Sequence, residues 1–313
     1  MSGPEIVVIG GANVDIKCRL AGPFVPGTSN IGEVRLSVGG VGRNIAENLA
    51  RLGVPLVLLT AVGADADGDR LVAVCQEAGI DTSLIVRAGQ PTGRYVAMLD
   101  ESGELIAGVN EMAIMEAITP ELIDAYRTYL VSAQFIIADA NLPERTLANL
   151  ANFSRQAGIR LVIDPVSVEK SARLLPLLDP YNPIFLMSPN RDQLAAITGL
   201  PVLTDAEVAS AVKSLHARGA ENIIVGLGPH GAYASDGSAG IFVPVIATRI
   251  EDVTGAGDAA LAAAVFALLH GMDLGTAARA GQIAAKMTVE CGSTVAPDLC
   301  SKALFDELAR AGA

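Results

Sequence analysis

A chain of 313 residues, 51% apolar and only 18% charged, has room for one large domain or two ordinary ones and ample material for a core. Its net charge of -12, with no basic run anywhere, excludes a nucleic-acid or anionic-membrane surface as the working face. Cys18, Cys75, Cys291 and Cys300 lie far apart with no C-x-x-C pair, so they read as free thiols of a reducing cytosol, excluding a disulfide frame or zinc site.

The opening MSGPEIVVIGG has no basic flank and a short apolar run, which predicts a first strand over Glu5–Gly11 and not a signal peptide. The longest apolar segment, Ala259–Leu269, is about half of a membrane span. A soluble, cytoplasmic protein is expected. The first strand delivers Asn13 and Asp15 just past its C-terminal end, where open α/β sheets keep their ligands. From Val14 to Val38 the prolines, glycines and the alternation in IGEVRLSV predict a β-excursion.

The glycine turn Gly39-Gly40-Val41-Gly42-Arg43-Asn44 then opens a helix through Leu52, followed by a strand LVLLTAVG and a helix from about Asp65 to Gly79. A second β-rich interlude covers about Leu84–Val109, with a hairpin turning at Ser102-Gly103. Beyond Thr119 helices and strands alternate: helix Pro120–Leu130, strand QFIIADA, helix Pro143–Ala157, strands RLVIDP and PIFLMSPN, helices Arg191–Thr198 and Asp205–Arg218, strand ENIIVGLG. A hairpin at Asp236-Gly237 and helices near Leu274–Glu290 and Leu299–Ala311 complete the chain. Such alternation predicts an α/β fold with a mainly parallel sheet, and the two β-excursions are expected to pair as a lid over one end of it.

The stretch Asp252-Val253-Thr254-Gly255-Ala256-Gly257-Asp258 runs straight into the apolar helix AALAAAVFALLH. First-turn N–H groups lack partners inside a helix and its dipole is positive there, so the glycines suit an approaching anion. Asp258 has two readings. It is either a helix-start carboxylate favoured by the dipole, or a base that takes a proton from a substrate hydroxyl while the glycine amides steady a transferring phosphoryl group.

GGVGRNIAENLARLG and DVTGAGD, in that order and separation, resemble the two signatures of the ribokinase-like (PfkB-type) family of carbohydrate and nucleoside kinases, and the resemblance covers essentially the whole chain. It implies a three-layer α/β sandwich over residues 1–313, with a small β-lid from about 14–38 and 92–110 that often mediates dimerisation. ATP and magnesium are the implied cofactors, and a small sugar or nucleoside the implied partner. Position by position, Asp258 matches the catalytic base, and Gly255, Ala256 and Gly257 the anion hole. Asp15, Gly40 and Asn44 match the residues that hold sugar hydroxyls, with Asn13 close by. Gly226, Gly228 and Gly231 resemble the nucleotide-binding turn, and Asn190 begins the motif that supports magnesium and phosphate. That motif normally ends in Glu; here Gln193 stands in its place and brings no charge to the ion. Asp252 and the carbonyl of Thr254 match a monovalent-cation (potassium) site, the bland alternative being that Asp252 caps a turn.

GGVGRNIAENLA, LDESGE, VNEM, ADANL and IDPVS look most like the pseudouridine kinase branch, which implies ATP-dependent phosphorylation of a nucleoside 5′-hydroxyl. Tyr95, Asn110, Met112 and Asn141 are then candidate base contacts; Tyr95 and Met112 read equally as packing residues, Asn110 and Asn141 as turn residues. Kinases of ribose, a ketohexose, uridine or adenosine remain open, as does a ligand-binding regulator that kept the fold and lost turnover. A dinucleotide-dependent oxidoreductase does not, because G-x-G-x-x-G is missing after the first strand.

Overall fold

The computed structural model describes residues 4 to 311. Ile6–Ile9 (β1) is buried at all four positions, as a strand covered on both faces must be. It lies between Leu56–Leu59 (β4) and Phe135–Asp139 (β9), parallel to both. Arg160–Asp164 (β10), Ile184–Met187 (β11) and Ala220–Gly226 (β12) continue the parallel array, and Ala232–Ser235 (β13) with Gly240–Val243 (β14) close it antiparallel. The eight strands follow the order β14-β13-β12-β11-β10-β9-β1-β4.

Alternate side chains feed two cores. Ile6 and Val8 of β1 face Val41–Arg51 (α1), Ala66–Glu77 (α2), Ala256–Leu269 (α9), Leu274–Cys291 (α10) and Ser301–Ala311 (α11). Val7 and Ile9 face Pro120–Ala125 (α3), Arg127–Leu130 (α4), Glu144–Ala157 (α5), Arg191–Thr198 (α7) and Asp205–His216 (α8). The expected three layers result.

The two β-excursions do pair. Asn13–Leu20 (β2) is antiparallel to Gly32–Gly39 (β3) and parallel to Gly93–Leu99 (β7), which in turn pairs with Leu105–Glu111 (β8). This four-stranded lid leaves the main sheet at the C-terminal tip of β1. Asn13 and Asp15 lie just past the first strand, as expected, and Asn13 pairs with Gly39 and Gly93 as the first residue of the lid. One reading needs correction. LVLLTAVG is two strands: the main-sheet ladder stops at Leu59, and Ala61–Gly63 (β5) moves across to Val86–Ala88 (β6). A short helix at Val168–Ser171 (α6) and a 3₁₀ stretch at Ala172–Leu177 were not read from the sequence.

One carboxylate fixes the junction of these parts. Asp139, the last residue of β9, is 1% exposed and accepts the N–H groups of Gly11 at 2.7 Å, Gly42 at 2.9 Å and Asn141 at 2.9 Å. Gly42 lies in the first turn of α1, whose N-cap, Gly40, has no side chain to offer, so Asp139 caps that helix from another strand. Gly40 is held at φ 97°, and a Cβ there would sit 2.5 Å from the Gly11 carbonyl oxygen, so no other residue allows the turn to lie against β1's end.

Asp139→Ala is expected to leave three amides unpaired and to cost about 3 kcal/mol, taking roughly 1 kcal/mol or more per buried donor. The measurement is the urea midpoint of unfolding, with Asp139→Asn, which keeps one acceptor oxygen, falling between the two.

Candidate active site

The cleft opens between the inner face of the lid and the C-terminal ends of β1, β9, β10 and β11. Asp15 is 8% exposed and accepts the Asn13 side-chain amide at 2.6 Å. Burial pushes its carboxyl up, against that bond and the nearby Arg43 and Lys17 charges. Strand register places Ser37, Asp15, Tyr95 and Asn110 in one row across the lid, on the same face. Tyr95 is half-buried and lies over Gly108, while Asn110 is exposed on the edge strand β8. Met112 and Asn141 meet against Gly11, so that both close on the floor beside Asn13.

From the opposite wall comes α9. Six helices begin at side-chain caps: Asp65 for α2, Thr119 for α3, Ser167 for α6, Asn190 for α7, Thr204 for α8 and Asp273 for α10. Helix α9 begins at Gly255, at φ 82° and with no side-chain cap. Among the described residues the amides of Gly255, Gly257 and Asp258 have no acceptor, whereas that of Ala256 reaches the Val253 carbonyl at 3.3 Å. A Cβ on Gly257 would meet nothing within 4 Å, so the glycine serves open space, as an approaching ligand requires. Three free amides at the positive end of a helix are chemically suited to receive an anion.

A direct bond joins the two walls at their centre. The Asn44 side-chain amide donates to Asp258 Oδ2 at 2.7 Å. Asn44 is itself held by Arg43, 2% exposed, whose guanidinium donates to the Asn44 side-chain oxygen, to Glu47 and to the Val38 carbonyl at 2.7 Å. Burial, then the charges of Asp139 and Asp15, push the Asp258 carboxyl up to about 7, against the Asn44 bond and the Arg43 charge. A carboxylate poised there is suited to move a proton near neutral pH.

Beyond Asp258 the cleft continues as a cavity lined by Asp164, Asn190, Gln193, Gly226 and Gly257. Asp164 gives one oxygen to the Val166 amide at 2.7 Å, leaving the other without a partner among the described residues. Burial and the charge of Asp258 raise its carboxyl. Gln193 forms a capping box with Asn190: its side-chain oxygen accepts the Asn190 amide at 2.8 Å while Asn190 accepts the Gln193 amide at 2.9 Å. Gly228 and Gly231 lie in the turn past β12, away from the lining of this cavity, and Gly231 is tight against the Val243 carbonyl.

Four side chains around the cleft were not among the residues expected there. Arg43 sits inside the glycine-turn motif but carried no assigned role. Asp139 and Asp164 end parallel strands, a position that could have marked them. Lys170, on α6, donates to the Asn141 side-chain oxygen, and burial lowers its ammonium despite the charge of Asp139. Asp252 is engaged too: Lys17 of the lid reaches its Oδ2 at 2.8 Å.

A sequence profile described as pfkB family carbohydrate kinase matches residues 4–299. The pseudouridine kinase of Escherichia coli K12 is 34% identical over 298 residues, covering 94% of this chain and 93% of that protein. Among solved structures, Arabidopsis thaliana ribokinase complexed with ribose and ATP superposes with a TM-score of 0.85 at 24% identity, over 98% of this chain and 99% of its own. Escherichia coli phosphofructokinase-2 in complex with potassium does so with a TM-score of 0.81 at 22% identity, over 99% and 100%. The fold is ribokinase-like, and the chain belongs to the pfkB family of carbohydrate kinases.

Proposed function

We propose that this kinase transfers the γ-phosphoryl group of ATP to the 5′-hydroxyl of pseudouridine. The observation that carries the phosphoryl-transfer part is the Asn44–Asp258 bond, which joins the wall bearing Asp15 to the uncapped start of α9. Asp15 and Asn13 hold vicinal sugar hydroxyls, because a carboxylate accepts from two donors at once. The acceptor hydroxyl then points at Asp258, which takes its proton as the new P–O bond forms, while the amides of Gly255, Gly257 and Asp258 bear the charge on the phosphoryl oxygens. The Asn44 amide fixes which oxygen of Asp258 faces the alcohol.

On the nucleotide side, Asn190 and Gly226 line the cavity, and Asp164 is the carboxylate best placed for magnesium. Its one uncommitted oxygen matches the preference of a hard dication for carboxylate beside phosphate and water. Magnesium bound with the triphosphate would supply positive charge to the phosphate oxygens. Gln193, fixed in the cap of α7, leaves that duty to Asp164.

The choice of pseudouridine rests on the similarity to the bacterial enzyme and on the floor of the cleft. A C-linked uracil presents two ring N–H groups and two carbonyls. Asn141 offers both donor and acceptor, and the Lys170 ammonium beside it is a donor to a carbonyl. Tyr95, Asn110 and Met112 flank the same space. The outer face of the lid exposes Val34 (59%), Leu36 (48%) and Val109 (66%), and we take a second copy of the chain to cover it.

An ATP-consumption screen over pseudouridine, uridine, adenosine, ribose and fructose is expected to show strong preference for pseudouridine. Asp258→Asn should lower kcat about 10²–10⁴-fold with substrate binding retained. A flat response to nucleosides removes the acceptor assignment; an unaffected Asp258→Asn removes the base. Because Asp258 works ionised and its carboxyl stands at about 7, kcat/KM should climb as pH rises through that value and level above it. A rate falling across the same range would mean that the carboxyl acts as an acid. Sedimentation equilibrium should find a dimer that Val109→Glu dissociates, and a wild-type monomer would dismiss the lid pairing.

A further inference from the structure

Lys17 shares the inner face of β2 with Asp15 and Asn13, two and four residues away. Its ammonium leaves the lid altogether. It crosses to the loop ahead of α9, 2.8 Å from Asp252 Oδ2 and 3.4 Å from Thr254 Oγ1. The other oxygen of Asp252 accepts the Thr254 amide at 2.8 Å and the Thr254 hydroxyl at 2.6 Å. Both carboxylate oxygens are therefore committed to donors of the chain itself. A monovalent cation at Asp252 and Thr254 would meet a carboxylate whose charge is already balanced. The donor set does not fit a potassium ion without displacing Lys17.

We propose that Lys17 is the resident cation of this site, an ammonium tethered to the lid that takes the place of a free monovalent ion. Asp252 folds the 252–254 turn onto itself, and the next residue, Gly255, begins α9. The ion pair thus fixes the approach to the three amides of the anion hole, and does so from the strand that carries Asp15. Its side chains are 30% and 32% exposed, half-buried like a latch and not sealed like a core strut. Lys17 acts through Asp252 and is a positioning residue. Two consequences follow: phosphoryl transfer is indifferent to potassium, and the order of the anion loop depends on the lid's contact with it. The inference rests on the kinase reading alone and is independent of which alcohol is phosphorylated.

The test compares wild type with Lys17→Met in potassium, ammonium and choline chlorides at equal ionic strength, on the best acceptor of the screen. The wild type should run equally in all three. Lys17→Met should lose about tenfold in kcat in choline, the scale of one half-buried charge pair, with KM for the acceptor little changed. Potassium or ammonium should restore it. Amide hydrogen exchange over 244–258 gives a readout that needs no turnover: in choline the variant's segment should exchange faster than wild type, and potassium should slow it again. Potassium activation of the wild type overturns the proposal. So does a Lys17→Met enzyme that matches wild type in choline, or one whose loss no small cation restores.

Discussion

The buried carboxylate of Asp139 is the constraint on which the rest of the molecule depends. A charge taken out of water is costly unless donors surround it, and here the donors are backbone amides from three separate segments. Each of those amides belongs to a turn that lines the cleft. Gly11 lies two residues past β1, Gly42 is in the first turn of α1 two residues before Asn44, and Asn141 follows β9 onto the floor. Satisfying one carboxylate therefore sets the positions of the side chains proposed to hold the alcohol relative to one another. Burial raises the Asp139 carboxyl, while the bonds from Gly11 and Asn141 and the charge of Lys170 oppose the rise.

Around that anchor, acidic groups crowd together. Asp15, Asp139, Asp164 and Asp258 are each pushed upward, with burial the leading cause in every case. Arg43, Lys17 and Lys170 approach them from the helix side, the lid and α6. The arrangement holds a carboxyl near neutrality at the place where a proton must move, and it favours a cationic guest beside Asp164. The proposed binding of a polyanion by an acidic protein needs only local contacts, here free amides at a helix start.

Much of this was legible in the residues. Apolar runs ending in Gly, Asp or Asn marked the parallel strands, and the loss of that rhythm at about 14–38 and 92–110 marked the lid. The two glycine motifs pointed to Asn44 and Asp258, and the bond between them joins the parts of the chain that those motifs start. What stayed hidden was non-local. Nothing in ADA distinguishes an Asp that caps a helix 97 residues earlier from one that ends a strand in solvent. The residues from Val14 to Val38 marked a β-excursion without its strand register, so the alternation that brings Lys17 to the face of Asp15 went unread. At 193 an amide and a carboxylate can both accept the Asn190 amide, so the sequence showed a missing charge where the structure shows a filled cap.

The contact between Asn44 and Asp258 spans 214 positions of the chain. During synthesis the glycine turn of residues 39–44 leaves the ribosome long before its counterpart exists, and α1 must wait with Asn44 unengaged. A polypeptide interrupted anywhere short of residue 258 lacks both the partner of the Asn44 side chain and the free amides at the start of α9. The long reach between the two halves thus ties assembly of the proposed site to translation past residue 258, a consequence of chain order alone.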